Sequence, residues 1–147
     1  MSVRAFVDTN ILVYAHDVSA GPKHVRARTL VEELWTSGRG VLSTQVLQEL
    51  CINVRRKAKH PLSLKETRRL LDDYLTWEIV VNDTSSVVQA LGFEERYRVS
   101  FWDALILQAA EVAGVDVSFS EDLSAGQKYG SFRVDNPFAS PNPAENR

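Results

Sequence analysis

The chain has 147 residues, of which 44% are hydrophobic, 24% charged and 9% aromatic. That length suits one domain around one core, and the composition excludes intrinsic disorder and a coiled-coil rod. A net charge of −2 excludes a general polycation, so any binding of nucleic acid must use a local patch. No apolar run approaches the roughly 20 residues of a membrane-spanning helix. The N-terminus lacks the apolar core of a secretory signal, and the single Cys51 supports neither an internal disulfide nor a Cys-rich zinc site. A cytoplasmic protein without a membrane partner is expected.

Val3–Val7 is a short run of β-branched and aromatic residues that stops at Asp8-Thr9-Asn10, three residues that favour caps and turns. It predicts a buried strand followed by a helix from Thr9 to about His16. Beyond Gly21-Pro22, Val25, Leu30, Val31 and Leu34 have helical spacing within Lys23–Ser37, and Gly38 and Gly40 end that helix. Val41–Ser43 reads as a second strand. Thr44 opens a helix with the stripe Val46, Leu47, Leu50 and Val54, which dissolves near His60-Pro61. Ser63-x-x-Glu66 fits a capping box at the head of a helix carrying Leu64, Leu70, Leu71 and Leu75.

Glu78–Val81 reads as a third strand. Asp83 or Thr84 starts a helix expected to turn Val87, Val88 and Leu91 inward, with Gly92 weakening its middle. Ser100 opens another over Phe101 to about Ala113, apolar almost all round and therefore expected at the centre of the domain. Gly114 ends it, and strands follow at Val115–Phe119 and Phe132–Val134. Strands alternating with helices predict a three-layer α/β/α sandwich with a central parallel sheet. Residues 1–138 are expected to form this single domain, and 139–147 a flexible tail rich in Pro and polar residues.

Ligands of open parallel sheets bind beyond the carboxyl ends of the strands. Asp8 directly after the first strand, Asp103 in the first turn of the apolar helix and Asp122 after the fourth strand map to that end, and Glu49 flanks the stripe of the third helix. Each has an ordinary explanation: Asp8 as a helix cap, Asp103 as the partner in a Ser100-x-x-Asp103 capping box, Asp122 as a turn residue and Glu49 as a solvated carboxylate. Convergence changes the balance. Two carboxylates about 4 Å apart repel by roughly 4 kcal/mol at an effective dielectric near 20, which caps alone do not justify. A divalent cation reverses the sign, and a set of oxygens without His or Cys suits Mg2+ or Mn2+. The chemistry implied is phosphoryl transfer or phosphodiester hydrolysis by a metal-activated water.

The segments Asp8-Thr9-Asn10-Ile11-Leu12-Val13-Tyr14-Ala15, Glu49, Phe101-Trp102-Asp103-Ala104-Leu105-Ile106 and Ser120-Glu121-Asp122-Leu123 with Gly126 and Gly130, in this order and spacing, resemble the PIN-domain ribonucleases, in particular VapC-type toxins of toxin–antitoxin pairs. The resemblance extends to Asn136-Pro137-Phe138. It implies that Asp8, Glu49, Asp103 and Asp122 form an acidic quartet, with Asp8, Asp103 and Asp122 on the metal and Glu49 acting on the attacking water. It further implies that Ser120 supplies a hydroxyl where the family often has Thr, and that Asn10 braces the first turn. Asp122 rather than Glu121 is taken as the fourth acid. An RNA substrate, a cognate antitoxin and a homodimer are the implied partners.

Asn53–Arg69 carries seven basic residues against one acid, a local charge of +6 on a chain whose total is −2. Arg55, Arg56, Lys57 and Lys59 are the candidate RNA-backbone contacts, set against the ordinary reading of a solvated helical face. Trp35, Trp77 and Trp102 stand among apolar residues and are expected in the core, and Cys51 is expected as a packed thiol. Two other functions fit parts of the pattern. A receiver or aspartyl-phosphate phosphotransferase also places Asp after a strand, but its phosphatase version has a second Asp where this chain has Asn10, and it needs a strand-end Lys. A non-catalytic PIN-fold interaction module would be marked by loss of an acid, and all four are present.

Overall fold

The structure is a computed structural model that describes residues 3–56, 59–123 and 126–139. Its strands are β1 (Ala5–Val7), β2 (Gly40–Ser43), β3 (Glu78–Val80), β4 (Val117–Phe119), β5 (Lys128–Tyr129) and β6 (Phe132–Asp135). Its helices are α1 (Thr9–Ala15), α2 (Pro22–Ser37), α3 (Thr44–Arg56), α4 (Leu64–Tyr74), α5 (Thr84–Tyr97) and α6 (Phe101–Ala113), with a single 3-10 turn at Val18–Ala20 between α1 and α2. Among the described residues no helix is long and apolar enough to cross a membrane.

One sheet runs in the order β3-β2-β1-β4-β6-β5. Every pairing is parallel except that of β5 with β6, so the sheet is mixed at one edge. The sequence gives no signal for β5, a two-residue strand held by its partner, not by an apolar pattern of its own. All residues of β1 and β2 are buried, as expected for strands covered on both faces. Phe6, Val7, Leu42 and Val117 form the middle of a continuous core with Ile11, Leu12, Leu50, Leu107 and Val134. Burying one such side chain contributes roughly 1.5–3 kcal/mol before entropy is counted.

The caps follow local chemistry. Ser63 and Glu66 form the anticipated capping box, Asp83 and Ser86 form another, and Gly114 ends α6 in the left-handed conformation. Gly40 is required by contact: a Cβ there would collide with the Trp77 ring, which lies against the start of β2.

Packing redirects three of the expected faces. In α5, Val87, Val88 and Leu91 are exposed, while Ser86 and Ala90 are buried and Phe93 and Tyr97 half-buried. The buried set has the spacing of one helical face, and its small members let α5 lie close against α6. In α2 the inward stripe is Ala27, Leu30, Val31 and Leu34, with Val25 outside. In α4, Thr67 and Tyr74 are buried, whereas Leu64 and Leu75 face outward. Of the three tryptophans expected in the core, Trp77 is buried and Trp35 stacks at its edge against Tyr74 and Trp77, but Trp102 is 64% exposed. The last described helical residue of α3 is Arg56. Lys57 and all but the first residue of the anticipated 139–147 tail lie outside the described residues.

Candidate active site

The strand order reverses at β1, which has β2 on one side and β4 on the other. The two connections therefore leave in opposite directions and open a crevice beyond the carboxyl ends of β1 and β4. Val7 is paired with Phe119 at those ends, and the Asp8 N–H donates to the Phe119 carbonyl at 3.0 Å. Asp8 and Ser120 thus leave neighbouring strands side by side, although 112 residues separate them in sequence.

Asp8 does cap α1: its Oδ1 accepts from the Thr9 N–H at 2.7 Å. Its Oδ2 accepts from the Ser120 hydroxyl at 3.2 Å. Burial pushes its carboxyl up from 3.8 to about 6, with further upward contributions from the charges of Glu49 and Asp122, while the Thr9 and Ser120 hydrogen bonds pull the other way. A cap whose charged form is disfavoured by its surroundings is not optimised for capping. Desolvation combined with like charges in a cleft is the arrangement found at functional carboxylates.

The loop after β4 is organised around Ser120, which is fully buried. Its Oγ donates to Asp8 and accepts from the N–H groups of Asp122 (3.2 Å) and Leu123 (3.3 Å). Asn10 Nδ2 donates to Asp122 Oδ2 at 2.9 Å, so the first turn of α1 braces Asp122 directly. Glu121 points elsewhere. Its Oε1 accepts from the Tyr14 hydroxyl at 2.8 Å and its Oε2 pairs with Lys23. Lys23 in turn lies 5.0 Å from the Tyr14 ring centroid and 5.4 Å from that of Phe138. Although burial alone would raise it, Lys23 and Tyr14 together leave the Glu121 carboxyl below its ordinary value. Of the two neighbouring acids, Asp122 is the one whose charge acts on Asp8.

Glu49 is half-buried on α3, and its charge acts on Asp8. Asp103 is half-buried in the first turn of α6, where its N–H donates to the Ser100 hydroxyl, one half of the anticipated capping box. Gln45 Nε2 donates to the Trp102 carbonyl at 3.2 Å, tying the start of α6 to the helix that carries Glu49. The charges that act on Asp8 are those of Glu49 and Asp122, while Asp103 stands in the first turn of α6, which the Gln45–Trp102 hydrogen bond ties to α3. Among the described residues, no three His, Cys, Asp or Glu side chains are arranged to enclose a metal ion.

The basic residues continue from the same helix. Arg55 and Arg56 close α3, with Arg55 Nε donating to the Cys51 carbonyl, and Lys59 lies exposed beyond. The seven steps from Glu49 to Arg56 correspond to roughly 10 Å of helix rise. The histidines of the first half are engaged elsewhere: His16 Nε2 with the Tyr74 hydroxyl at 2.6 Å and His24 Nδ1 with the Tyr14 carbonyl at 2.9 Å. Residues that sequence reasoning did not single out are Tyr14 and Lys23, which anchor the Asp122 loop, and Gln45. Their partners are far away in sequence, so no local spacing announces them.

No curated protein matches the chain by sequence. Solved structures do match its fold. A toxin–antitoxin complex from Klebsiella pneumoniae gives a TM-score of 0.66 at 17% identity, covering 91% of this chain and 98% of its own. The Mycobacterium tuberculosis toxin VapC20, which cleaves the sarcin–ricin loop, gives 0.61 at 20% identity over 80% of this chain and 91% of its own. VapBC2 from Rickettsia felis, bound to a DNA fragment from its promoter, gives 0.62 at 19% identity over 90% and 97%. The PIN domain family profile matches residues 5–126, the span from β1 through the loop that carries Ser120 and Asp122. With that match over most of its length and the sheet order, crevice and acids described above, this chain belongs to the PIN domain family.

Proposed function

We propose that the chain is a Mg2+- or Mn2+-dependent endoribonuclease and the toxin of a toxin–antitoxin pair. The observation that carries this reading is the state of Asp8: a desolvated carboxyl in the field of Glu49 and Asp122, at the switch point of a PIN-family sheet. The donors are all oxygen, and a cationic partner would offset the burial and the like charges that raise Asp8, so the residues fit a hard divalent ion. Asp8, Asp103 and Asp122 would hold it, and it would supply the positive charge that polarises the phosphodiester.

The remaining roles belong to the chain itself. Ser120 and Asn10 fix the Asp8 and Asp122 carboxylates, and Glu49 is the group assigned to take a proton from the attacking water. In-line attack on phosphorus breaks the P–O3′ bond and leaves a 5′-phosphate and a 3′-hydroxyl. Arg55, Arg56 and Lys59, with Lys57, hold the RNA backbone. An antitoxin would inhibit by placing an Arg among the carboxylates, where its planar fork matches their geometry. An apolar groove between α3 and α4, lined by Leu47, Leu64, Leu71 and Leu75, provides helix-docking surface. We assign a homodimer to the same class of exposed apolar surface.

The test is cleavage of total RNA by the purified chain with Mn2+, followed by mapping of the 5′-ends, with and without the product of the neighbouring gene. Expected are discrete 5′-phosphate ends that vanish in EDTA, in Asp8→Asn and on addition of that product. Full activity in EDTA or a 2′,3′-cyclic phosphate would refute the mechanism.

A further inference from the structure

Of the three tryptophans the sequence assigned to the core, Trp102 is the one the structure exposes most. It occupies the second position of α6, directly before Asp103, with its indole 64% exposed. The ring is held in place: Phe101 meets it edge-on, with centroids 5.3 Å apart at 79°. The indole forms one wall of a groove of about 400 Å³ between α3 and the start of α6, whose other walls are Gln45, Gln48, Glu49, Ile52 and Asn53. One aromatic face, one aliphatic side chain, three amides and one of the candidate catalytic acids therefore share a single cleft.

Gln45 supplies an independent observation. It is only 5% exposed, and its Nε2 donates to the Trp102 carbonyl. Because that carbonyl can only accept, the orientation of the amide is settled and its other atom is Oε1. Among the described residues Oε1 is buried without a hydrogen-bond partner. That oxygen is closed off from the groove, so the amide acts on the groove by tying the start of α6, and with it the indole, to the helix that carries Glu49.

We propose that this groove is a base-binding subsite that takes one unpaired nucleobase of single-stranded RNA, stacked on Trp102. The inference rests on the ribonuclease reading above and extends it to substrate recognition. A base on an aromatic side chain beside a basic strip is how single strands are bound. The basic strip begins on the same helix, at Arg55. Trp102 precedes Asp103 and Glu49 lines the groove, so the stacked base belongs to a nucleotide flanking the bond that is cut. The subsite selects unpaired RNA because a base within a duplex presents no free face to the indole.

The experiment uses the full chain, as wild type, Trp102→Ala and Trp102→Phe, with a short single-stranded RNA that the wild type cleaves in Mn2+. A series of that RNA carries one abasic ribonucleotide at successive positions, and binding of each is measured separately in EDTA by tryptophan fluorescence. For the wild type, one abasic position beside the cut should weaken binding and raise KM by about tenfold, within the roughly 5- to 150-fold that one stacked base contributes. Trp102→Ala should show the same loss with intact RNA and no further loss at that position, and Trp102→Phe should retain most of the effect. Undiminished abasic sensitivity in Trp102→Ala overturns the subsite while leaving the ribonuclease reading intact. So does a Trp102→Ala chain that changes only its oligomeric state or its antitoxin affinity, which would assign the face to a protein contact. A wild type that neither cleaves nor binds single-stranded RNA overturns both readings.

Discussion

Replacing Asp8 with Asn should abolish cleavage and yet make the metal-free protein more stable at neutral pH. The Asp8 carboxyl ionises near 3.8 in an unfolded chain and at about 6 in the fold, mainly because it is buried and also because Glu49 and Asp122 face it. Between those values the native state binds more protons than the unfolded state, so stability falls as pH rises from about 4 to about 6 and stays reduced above. A shift of roughly two units at about 1.4 kcal/mol per unit amounts to about 3 kcal/mol of destabilisation at pH 8. Asn removes that charge and retains an oxygen for the Thr9 N–H. It disturbs the hydrogen bond from Ser120, at about 1 kcal/mol. The net gain should be about 2 kcal/mol at pH 8 and near zero or slightly negative at pH 4. Urea unfolding in EDTA at the two pH values, compared at constant m, measures it directly. Mn2+ should reverse the order by stabilising the wild type more than the variant. An Asp8→Asn chain that is destabilised equally at both pH values would show that Asp8 is an ordinary cap and that the electrostatic argument is wrong.

Ser120→Ala removes one donated and two accepted hydrogen bonds from a fully buried hydroxyl, so it should cost about 2–3 kcal/mol in urea unfolding. Cleavage should fall with it, because Asp8 and the Asp122 loop lose their common anchor. A stability loss with activity intact would separate the loop from the site. Arg55→Ala with Arg56→Ala should weaken binding of different single-stranded RNAs to a similar degree and flatten the dependence of log K on log salt by about 0.7 for each lost phosphate contact. An unchanged slope would return those residues to a solvated helical face.

What the residue order determined by itself was whatever depends on neighbours a few positions away. The stop from Val7 to Asp8-Thr9-Asn10 marked the end of β1 and the start of α1. The Ser63-Glu66 box, Gly114 and the uninterrupted apolar run of α6 placed their helices because caps and helical periods are local. Strand-end acids at Asp8 and Asp122 were visible for the same reason, and the order of strands and helices led to a sandwich whose carboxyl edge had to gather them. Register and facing were not local. Whether Val87, Val88 and Leu91 or Ser86, Ala90 and Phe93 turn inward depends on how closely α6 approaches, and the closer packing of small residues prevailed over the larger apolar set. The two-residue β5 exists only because β6 offers it a partner. The orientation of Glu121 and Asp122 was decided by Lys23 and Tyr14 on one side and Asn10 on the other, each about a hundred residues away along the chain. Trp102 lies among apolar residues in sequence, but at the first turn of α6 the indole that hydrophobicity assigns to the core is left exposed on the groove beside α3. Such choices are made where separate elements meet, and the energies that make them belong to the contact and not to either segment.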